Sequence, residues 1–456
     1  MTFLKRKKTI FVLLLLGLVF SAFALQRAKD ERRTRRESIS ARRPARELRA
    51  VHPSLRQGPR YAERQVLVKF KTGLSEKLIE GTLTAFGART IKKINALEVY
   101  QLQIPTTASV EEMVYALGRN PDVEYAEPNF IAHIMATTPN DPYFRYQYAL
   151  HNTGQEIGDG GPKGKSDADI KAPEAWGEAQ GDGATIIAIV DTGVDLLHPD
   201  IQSRIQSPGR DFANDDFDAT DDNGHGTHVA GIAAADTDNN VGVAGVAWSC
   251  KILPVKAADE NGDSYYSWLI DGIRWAADTG ADVINISMGG EDPSTALRDA
   301  LKYAYDKGIV IAASAGNDDT FVYYPAAYDK YCMAVAATDY DDARVWWSNH
   351  GPEIDVAAPG EEVLSLVPTW YPAKVWGGDY PPYGFGDGTS MSAPHVAGLA
   401  ALIKSYKPWL KPDEIMNIIR YSADDVNSSE HKGKDEYIGY GRINMAKALV
   451  PIEIAK

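Results

Sequence analysis

Aspartate, histidine and serine, each set in its own glycine-bearing motif, are the residue types from which nucleophilic catalysis is built. The apolar run Ile186-Ile187-Ala188-Ile189-Val190 ends in Asp191-Thr192-Gly193-Val194-Asp195, a carboxylate at the exit of a strand with a glycine to turn the chain. His225 lies in Asn223-Gly224-His225-Gly226-Thr227-His228-Val229-Ala230-Gly231, immediately ahead of an Ala-rich helical stretch. Histidines 225 and 228 also have the spacing of two metal ligands on one helical face. Ser390, in Gly388-Thr389-Ser390-Met391-Ser392-Ala393-Pro394-His395, opens another helical stretch. A serine hydroxyl is a poor nucleophile at neutral pH unless a base takes its proton, and a carboxylate behind a histidine orients such a base. Acyl transfer further needs a donor aimed at the oxyanion. Asn317, at the end of Ser314-Ala315-Gly316-Asn317, is of the right type, the bland alternative being an asparagine that caps a turn.

The elements that must hold these residues are short. Wholly apolar runs at 185–190, 251–255, 282–286, 309–313 and 333–336 alternate with helical periodicity at 264–278 and 295–306. Such runs are strands buried on both faces, and the alternation predicts βαβ units, hence an α/β domain of three layers with a mainly parallel sheet between helices. Functional residues of such sheets gather at the carboxyl ends of the strands, where the polar motifs fall. Upstream, Gln65-Val66-Leu67-Val68-Lys69-Phe70, a helical segment at 75–86, Val99-Tyr100-Gln101-Leu102-Gln103-Ile104, a second helical segment at 109–118 and Val123-Glu124-Tyr125 form a small α+β unit over 61–136. Pro128, Pro139 and Pro142 punctuate a linker before the larger domain, 137–456.

Charge divides the chain. Residues 1–60 hold 16 Lys and Arg against 4 Asp and Glu, so the remainder carries 32 basic and 58 acidic residues. An acidic body argues against nucleic acid as a partner and suits a cation-binding protein. Lys5, Arg6, Lys7 and Lys8 precede an apolar run at 10–25 containing Ala22-Phe23-Ala24, the form of a cleaved export signal over 1–24, with an uncleaved membrane anchor as the alternative. The Arg-rich stretch 25–60 reads as a solvated linker. Cys250 and Cys332 lie in apolar stretches and read as buried free thiols.

From Asp141 to Gly439-Tyr440-Gly441-Arg442-Ile443-Asn444 the chain resembles the subtilase family of serine peptidases, in its thermitase-like branch, on all three motifs in the order Asp, His, Ser. The resemblance implies a subtilisin-like domain in which Asp191, His225 and Ser390 are the triad and Asn317 joins the Ser390 N–H as oxyanion donor. His228 and His395 are then spare. It further implies that polypeptide substrates lie as a strand beside Ser287, Met288 and Gly289. Ala315, Gly316 and Tyr323 would lie at the first specificity pocket, where Tyr323 favours small or medium side chains and Asp318 a basic one. The segment 367–387, with Trp370, Tyr371, Trp376, Tyr380, Tyr383 and Phe385, is longer than its counterpart in the family. Its aromatics either line the cleft or pack the loop onto the body.

The same resemblance implies structural calcium (Ca2+). One site takes the carboxylates of Asp141 and Asp200, the amide of Asn239 and the carbonyls of Asp236, Val241 and Val243; a second takes Asp211, Asp216 and Asp218, with Asp218 and Thr220 departing from the family pattern. The unit 61–136 resembles a ferredoxin-like propeptide that inhibits its own peptidase and aids its folding, with autocleavage falling at about 134–139. The expectation is a secreted, calcium-dependent serine endopeptidase made as a self-processing zymogen, a monomer after maturation.

Overall fold

A computed structural model of the protein describes residues 61–130, 136–158, 160–376 and 381–449. The expected export signal, the Arg-rich stretch and residues 134–135 of the expected maturation segment lie outside the described residues. Two compact units are present.

The smaller unit runs β1 (Tyr61–Phe70), helix Glu76–Ala85, β2 (Arg89–Ile94), β3 (Val99–Gln103), helix Val110–Gly118 and β4 (Val123–Phe130). The strands form an antiparallel sheet in the order β2-β3-β1-β4. Along β1 the side chains of Val66, Val68 and Phe70 are buried, the period of two that places one face on a core completed by Ile79, Leu83, Leu102, Met113 and Leu117. Ser75 caps the first helix, and a reciprocal Ser109/Glu112 box caps the second. The sequence reading missed β2. Arg89-Thr90-Ile91-Lys92-Lys93-Ile94 is an edge strand with exposed residues on both faces, so it carries no alternation, and including it completes a βαββαβ unit.

The larger unit is built on a seven-stranded parallel sheet in the order β11-β10-β9-β8-β5-β7-β6. Its strands are β5 (Ile186–Asp191), β6 (Arg210–Asp211), β7 (Lys251–Lys256), β8 (Val283–Ile286), β9 (Val310–Ser314), β10 (Met333–Thr338) and β11 (Ile354–Pro359). Every apolar run singled out in the sequence is one of these strands. Their side chains alternate between two cores. Ile187 and Ile189 pack with the helices His225–Ala234 and Thr389–Tyr406, while Ala188 and Val190 pack with the helices Tyr266–Thr279 and Thr295–Asp306. A one-residue slip of β5 would exchange those faces and move Asp191 off the strand exit. Both faces are buried, so each misplaced isoleucine would overpack a place shaped for a smaller side chain, at a cost of about 1–3 kcal/mol.

The helices that carry His225 and Ser390 thus lie on one face of the sheet. The helix Thr389–Tyr406 is buried almost all round, which explains its run of small and apolar residues. An antiparallel ribbon, β12 (Val363–Leu366) with β13 (Tyr383–Gly386), leads into it. The closing segment is fastened to β11 by the Ala357 N–H donating to Gly441 and by buried Arg442, which pairs with Asp342 and Asp424. Both cysteines are free and buried, and the Cys332 thiol lies 3.1 Å from the Pro325 carbonyl. Among the described residues no helix is long and apolar enough to cross a membrane.

Candidate active site

Asp191 is the last residue of β5 and has no exposed surface. The chain turns away at Gly193, whose φ of 105° is one that other residues rarely adopt. The helix beginning at His225 packs directly on this turn, because a Cβ at Gly226 would lie 2.1 Å from the Gly193 carbonyl. That approach brings the His225 Nδ1–H to Asp191 Oδ1 at 2.7 Å, while the Thr192 N–H donates to the same oxygen at 2.8 Å. Asp191 Oδ2 is buried and finds no partner among the described residues. Burial works to lower the imidazole pKa, and the charge and hydrogen bond of Asp191, with Asp221 behind it, outweigh burial and raise it above 6.5.

Ser390 is the second residue of its helix, so its N–H belongs to the first turn, where amides have no intrahelical acceptor. Pro394, four residues on, has no N–H to give the Ser390 carbonyl. The Ser287 hydroxyl fills that vacancy at 2.9 Å, and the Ser390 hydroxyl in turn donates to the Ser287 carbonyl at 2.9 Å. Asn285 Nδ2 donates to Ser287 Oγ, which fixes the hydroxyl from behind. The serine proton therefore rests on a backbone carbonyl, and transfer to an imidazole needs a rotation about χ1. Such contacts commonly tighten only with substrate in place.

Asn317 follows β9. Its Oδ1 accepts from the Thr389 N–H at 2.8 Å and from Thr389 Oγ1 at 2.9 Å. Because a backbone N–H only donates, the amide is locked with oxygen toward the helix and Nδ2 away from it. A Cβ at Gly388 would stand 3.5 Å from that Nδ2. At Gly316, which has a φ of 110°, a Cβ would come within 2.9 Å of the Tyr323 ring. Ala315 is buried, and Ser287, Met288 and Gly289 follow β8, where a Cβ at Gly289 would lie 2.4 Å from the Tyr324 carbonyl. The Tyr323 hydroxyl donates toward Asp318 Oδ2 at 3.0 Å and Glu291 Oε1 at 3.2 Å. Burial, then Asp318 and Glu291, push its pKa up, so it stays a phenol.

The two spare histidines, His228 and His395, are enclosed. His228 donates through Nε2 to the Gly384 carbonyl at 3.0 Å and His395 through Nδ1 to the Met391 carbonyl at 2.8 Å. Burial pushes each down to about 4, which keeps both neutral. Among the described residues no group of three or more His, Cys, Asp or Glu is placed to hold a metal ion.

Calcium needs mainly amides and carbonyls beside a few carboxylates, and the loop 236–243 with Asp141 and Asp200 supplies that mixture. Both aspartates are buried. Asp200 accepts from Asn239 Nδ2 at 2.8 Å and the Val243 N–H at 2.9 Å, whereas Asp141 Oδ1 has no partner among the described residues. Burial pushes Asp141 up to about 6 and Asp200 up to about 7, the strain of two enclosed carboxylates that a cation relieves. A Cβ at Gly242 would fall 2.2 Å from Asp200 Oδ2, so the loop closes on these oxygens only with glycine there. Asp236 spends its carboxylate on Arg204 at 2.6 Å and keeps only its carbonyl for a cation. The residues fit a calcium ion. The second acidic loop differs. Asp211 accepts from the N–H groups of Ala213 and Asn214, Asp216 from that of Asp218, and Asp218 from that of Thr220. Each carboxylate caps its own turn, and the structure does not bring the three together.

The described aromatics of the long segment pack it onto the body. Tyr383 is buried against Tyr143, with ring centroids 5.1 Å apart, whereas Trp370 and Tyr371 lie at the start of the His225 helix. Thr369 donates through N–H and hydroxyl to Asp195 Oδ2, each at 2.8 Å, and Trp370 Nε1 donates to the Asp221 carbonyl at 3.1 Å. A Cβ at Gly224 would sit 2.9 Å from the Tyr371 ring. Tyr380 and the Trp376 side chain lie outside the described residues. Sequence reasoning missed Thr192, Thr389 and Asp221. Asp221, nearly unexposed, was hidden in an acidic run that reads as solvated loop.

Comparison with known proteins agrees with this geometry. The profile of the Subtilase family matches residues 182–441, and that of the Fervidolysin N-terminal prodomain matches residues 51–129. A thermophilic serine proteinase of Bacillus sp. (strain AK1) is 38% identical over 85% of this chain and 88% of its own length. Thermitase of Thermoactinomyces vulgaris is 40% identical over 68% of this chain and 99% of its own. Among solved structures, fervidolysin from Fervidobacterium pennivorans, described as a keratinolytic enzyme related to subtilisin, superposes with a TM-score of 0.56. It shows 26% identity, covering 89% of this chain and 63% of that one. The chain belongs to the subtilase family, in its thermitase-like branch, and is a serine endopeptidase of the subtilisin type with an N-terminal prodomain, a zymogen.

Proposed function

We propose that Asp191, His225 and Ser390 are the catalytic triad and Asn317 the oxyanion donor of a secreted, calcium-dependent, self-processing endopeptidase. The observation that carries this reading is the 2.7 Å contact between His225 Nδ1 and Asp191 Oδ1, on the sheet face that also carries the helix bearing Ser390. His225 Nε2 takes the Ser390 proton as Oγ attacks the scissile carbonyl carbon. The Ser390 N–H and Asn317 Nδ2 receive the oxyanion, and the imidazolium returns the proton to the leaving amine. Water, activated by the same imidazole, then hydrolyses the acyl-enzyme.

The N-terminal pattern of basic residues and apolar run supports export, and the prodomain over 61–136 acts as inhibitor and folding template. A parallel sheet of non-local contacts forms slowly, so a templating partner lowers its kinetic barrier. Self-cleavage at about 134–139 leaves Asp141 near the new N-terminus, and the mature domain, 137–456, is a monomer. Calcium is held by Asp141, Asp200, Asn239 and the carbonyls of Asp236, Val241 and Val243, where its charge offsets the buried carboxylates. The acids around Tyr323 support a first pocket that takes basic side chains over aromatic ones, the fixed phenol ring narrowing it while the carboxylates supply charge.

Asn317→Leu lowers kcat by about 10²–10³ with KM little changed, the usual cost of losing this donor in a subtilisin, measured with a peptide anilide. An unaltered kcat contradicts the assignment. Excess EGTA lowers the thermal midpoint of the mature enzyme by roughly 5 °C or more, as expected for loss of a ligand held at about a hundred times its Kd. Asp200→Asn shows the low midpoint with or without calcium, and equal midpoints in the wild type contradict the metal role. In a peptide library, Lys and Arg precede the scissile bond about tenfold more often than Phe and Tyr, and Tyr323→Gly narrows the difference by admitting the aromatic side chains. Preferred cleavage after Phe by the wild type overturns the pocket reading.

A further inference from the structure

Asp221 is 1% exposed, and five donors converge on its carboxylate. Oδ1 accepts from Thr192 Oγ1 at 2.8 Å, the Asn223 N–H at 3.0 Å and the Gly224 N–H at 2.8 Å. Oδ2 accepts from the Thr227 N–H at 2.9 Å and Thr227 Oγ1 at 2.6 Å. Three of the five are backbone amides, which cannot accept a proton in return, so the array favours the anion and works against burial, which raises the Asp221 pKa. A buried charge costs several kcal/mol unless paired or hydrogen-bonded in this way, and this one also faces the positive end of a helix.

The positions of the donors matter more than their number. Thr192 directly follows Asp191, Gly224 directly precedes His225, and Thr227 lies in the first turn of the His225 helix. Thr192 Oγ1 additionally accepts from the Gly226 N–H at 2.9 Å. One enclosed carboxylate therefore joins the strand exit to the helix entry across the gap that the Asp191–His225 contact spans. The titratable groups around it are Asp191 and Asp195 beyond β5, Asp222 on its own loop, His228 on the helix, Lys256 at the end of β7 and Tyr371 from the long segment. Lys256 is buried and spends its three donors on the Thr192 and Ala258 carbonyls and on Asp222, each within 2.9 Å, so it does not pair with Asp221.

We infer that Asp221 is a positioning residue of the reaction, holding Asp191 and His225 at hydrogen-bond distance and adding a second negative charge behind the imidazolium without touching substrate. The inference rests on the triad reading above. It separates two effects, geometry transmitted through Thr192 and charge felt by His225, that substitutions can part.

The test compares wild type, Asp221→Asn, Thr192→Val and Ser390→Ala, each expressed as the full chain and assayed as processed enzyme with a peptide anilide across pH. Processing is completed in trans by wild type immobilised on beads. Asp221→Asn lowers kcat by about 10–100-fold, leaves KM within about twofold and moves the acid limb of kcat/KM to lower pH, because the base loses a neighbouring negative charge. Thr192→Val keeps the charge and breaks the tie, so kcat falls about 5–10-fold with the acid limb unmoved. An Asp221→Asn enzyme with wild-type kcat, or one slowed with an unmoved acid limb, overturns the inference. If Asp221→Asn does not accumulate folded, Thr192→Val decides, and wild-type kcat there is the overturning result. Activity retained in Ser390→Ala sinks the triad reading instead, and is told apart by appearing in that variant alone.

Discussion

A carboxylate with no exposed surface, Asp191, holds an imidazole at 2.7 Å, and much of the larger unit is arranged around that contact. A charge enclosed in protein is costly unless its lone pairs are met, and the same enclosure is what lets it stabilise an imidazolium strongly. The register of β5 delivers the carboxylate to the strand exit, glycines at 193 and 226 let a helix approach within contact of it, and Thr192 and Asp221 tie the two elements together. The second helix, with Ser390, lies on the same face because the isoleucines of β5 and the small residues of both helices share one core.

Polar groups near the site are paired in ways that leave particular atoms for chemistry. Asn317 spends its oxygen on Thr389 and keeps its nitrogen, Ser390 loses an intrahelical donor to Pro394 and gains Ser287, and the spare histidines are kept neutral by burial while carbonyls orient their rings. Beside the loop 236–243 two carboxylates, Asp141 and Asp200, are enclosed within each other's field, and burial raises the pKa of both. Asp191 is met on one oxygen by an imidazole and a backbone amide; beside the loop a bound cation would supply the compensation.

Much of this was legible in the sequence, for physical reasons. Strands buried on both faces read as largely apolar runs, and β5, β7, β8, β9 and β10 were found that way. The strand β11 was missed because Asp355, buried and paired with Arg420 at 2.7 Å, interrupts its run, and β6 because two residues carry no period. The edge strand β2 was lost to its lysines. Motifs exposed Asp191, His225, Ser390 and Asn317 as candidates. Asp221 could not be told from its neighbours Asp218 and Asp222, because only the folded chain distinguishes a carboxylate that gathers five donors from one that faces water. For the same reason the acidic loop at 211–218 read as a metal site when its carboxylates serve their own turns.

The central claim is that Ser390 is activated by His225 under the influence of Asp191. The rate of covalent labelling of the processed enzyme by a fluorophosphonate, followed across pH with the modified residue located by mass analysis, tests it most directly. The expected result is a single label on Ser390, formed at a rate that climbs with pH through one ionisation raised above that of an ordinary imidazole and that collapses in His225→Ala. Labelling at another residue, or at Ser390 with equal speed in His225→Ala, would contradict it.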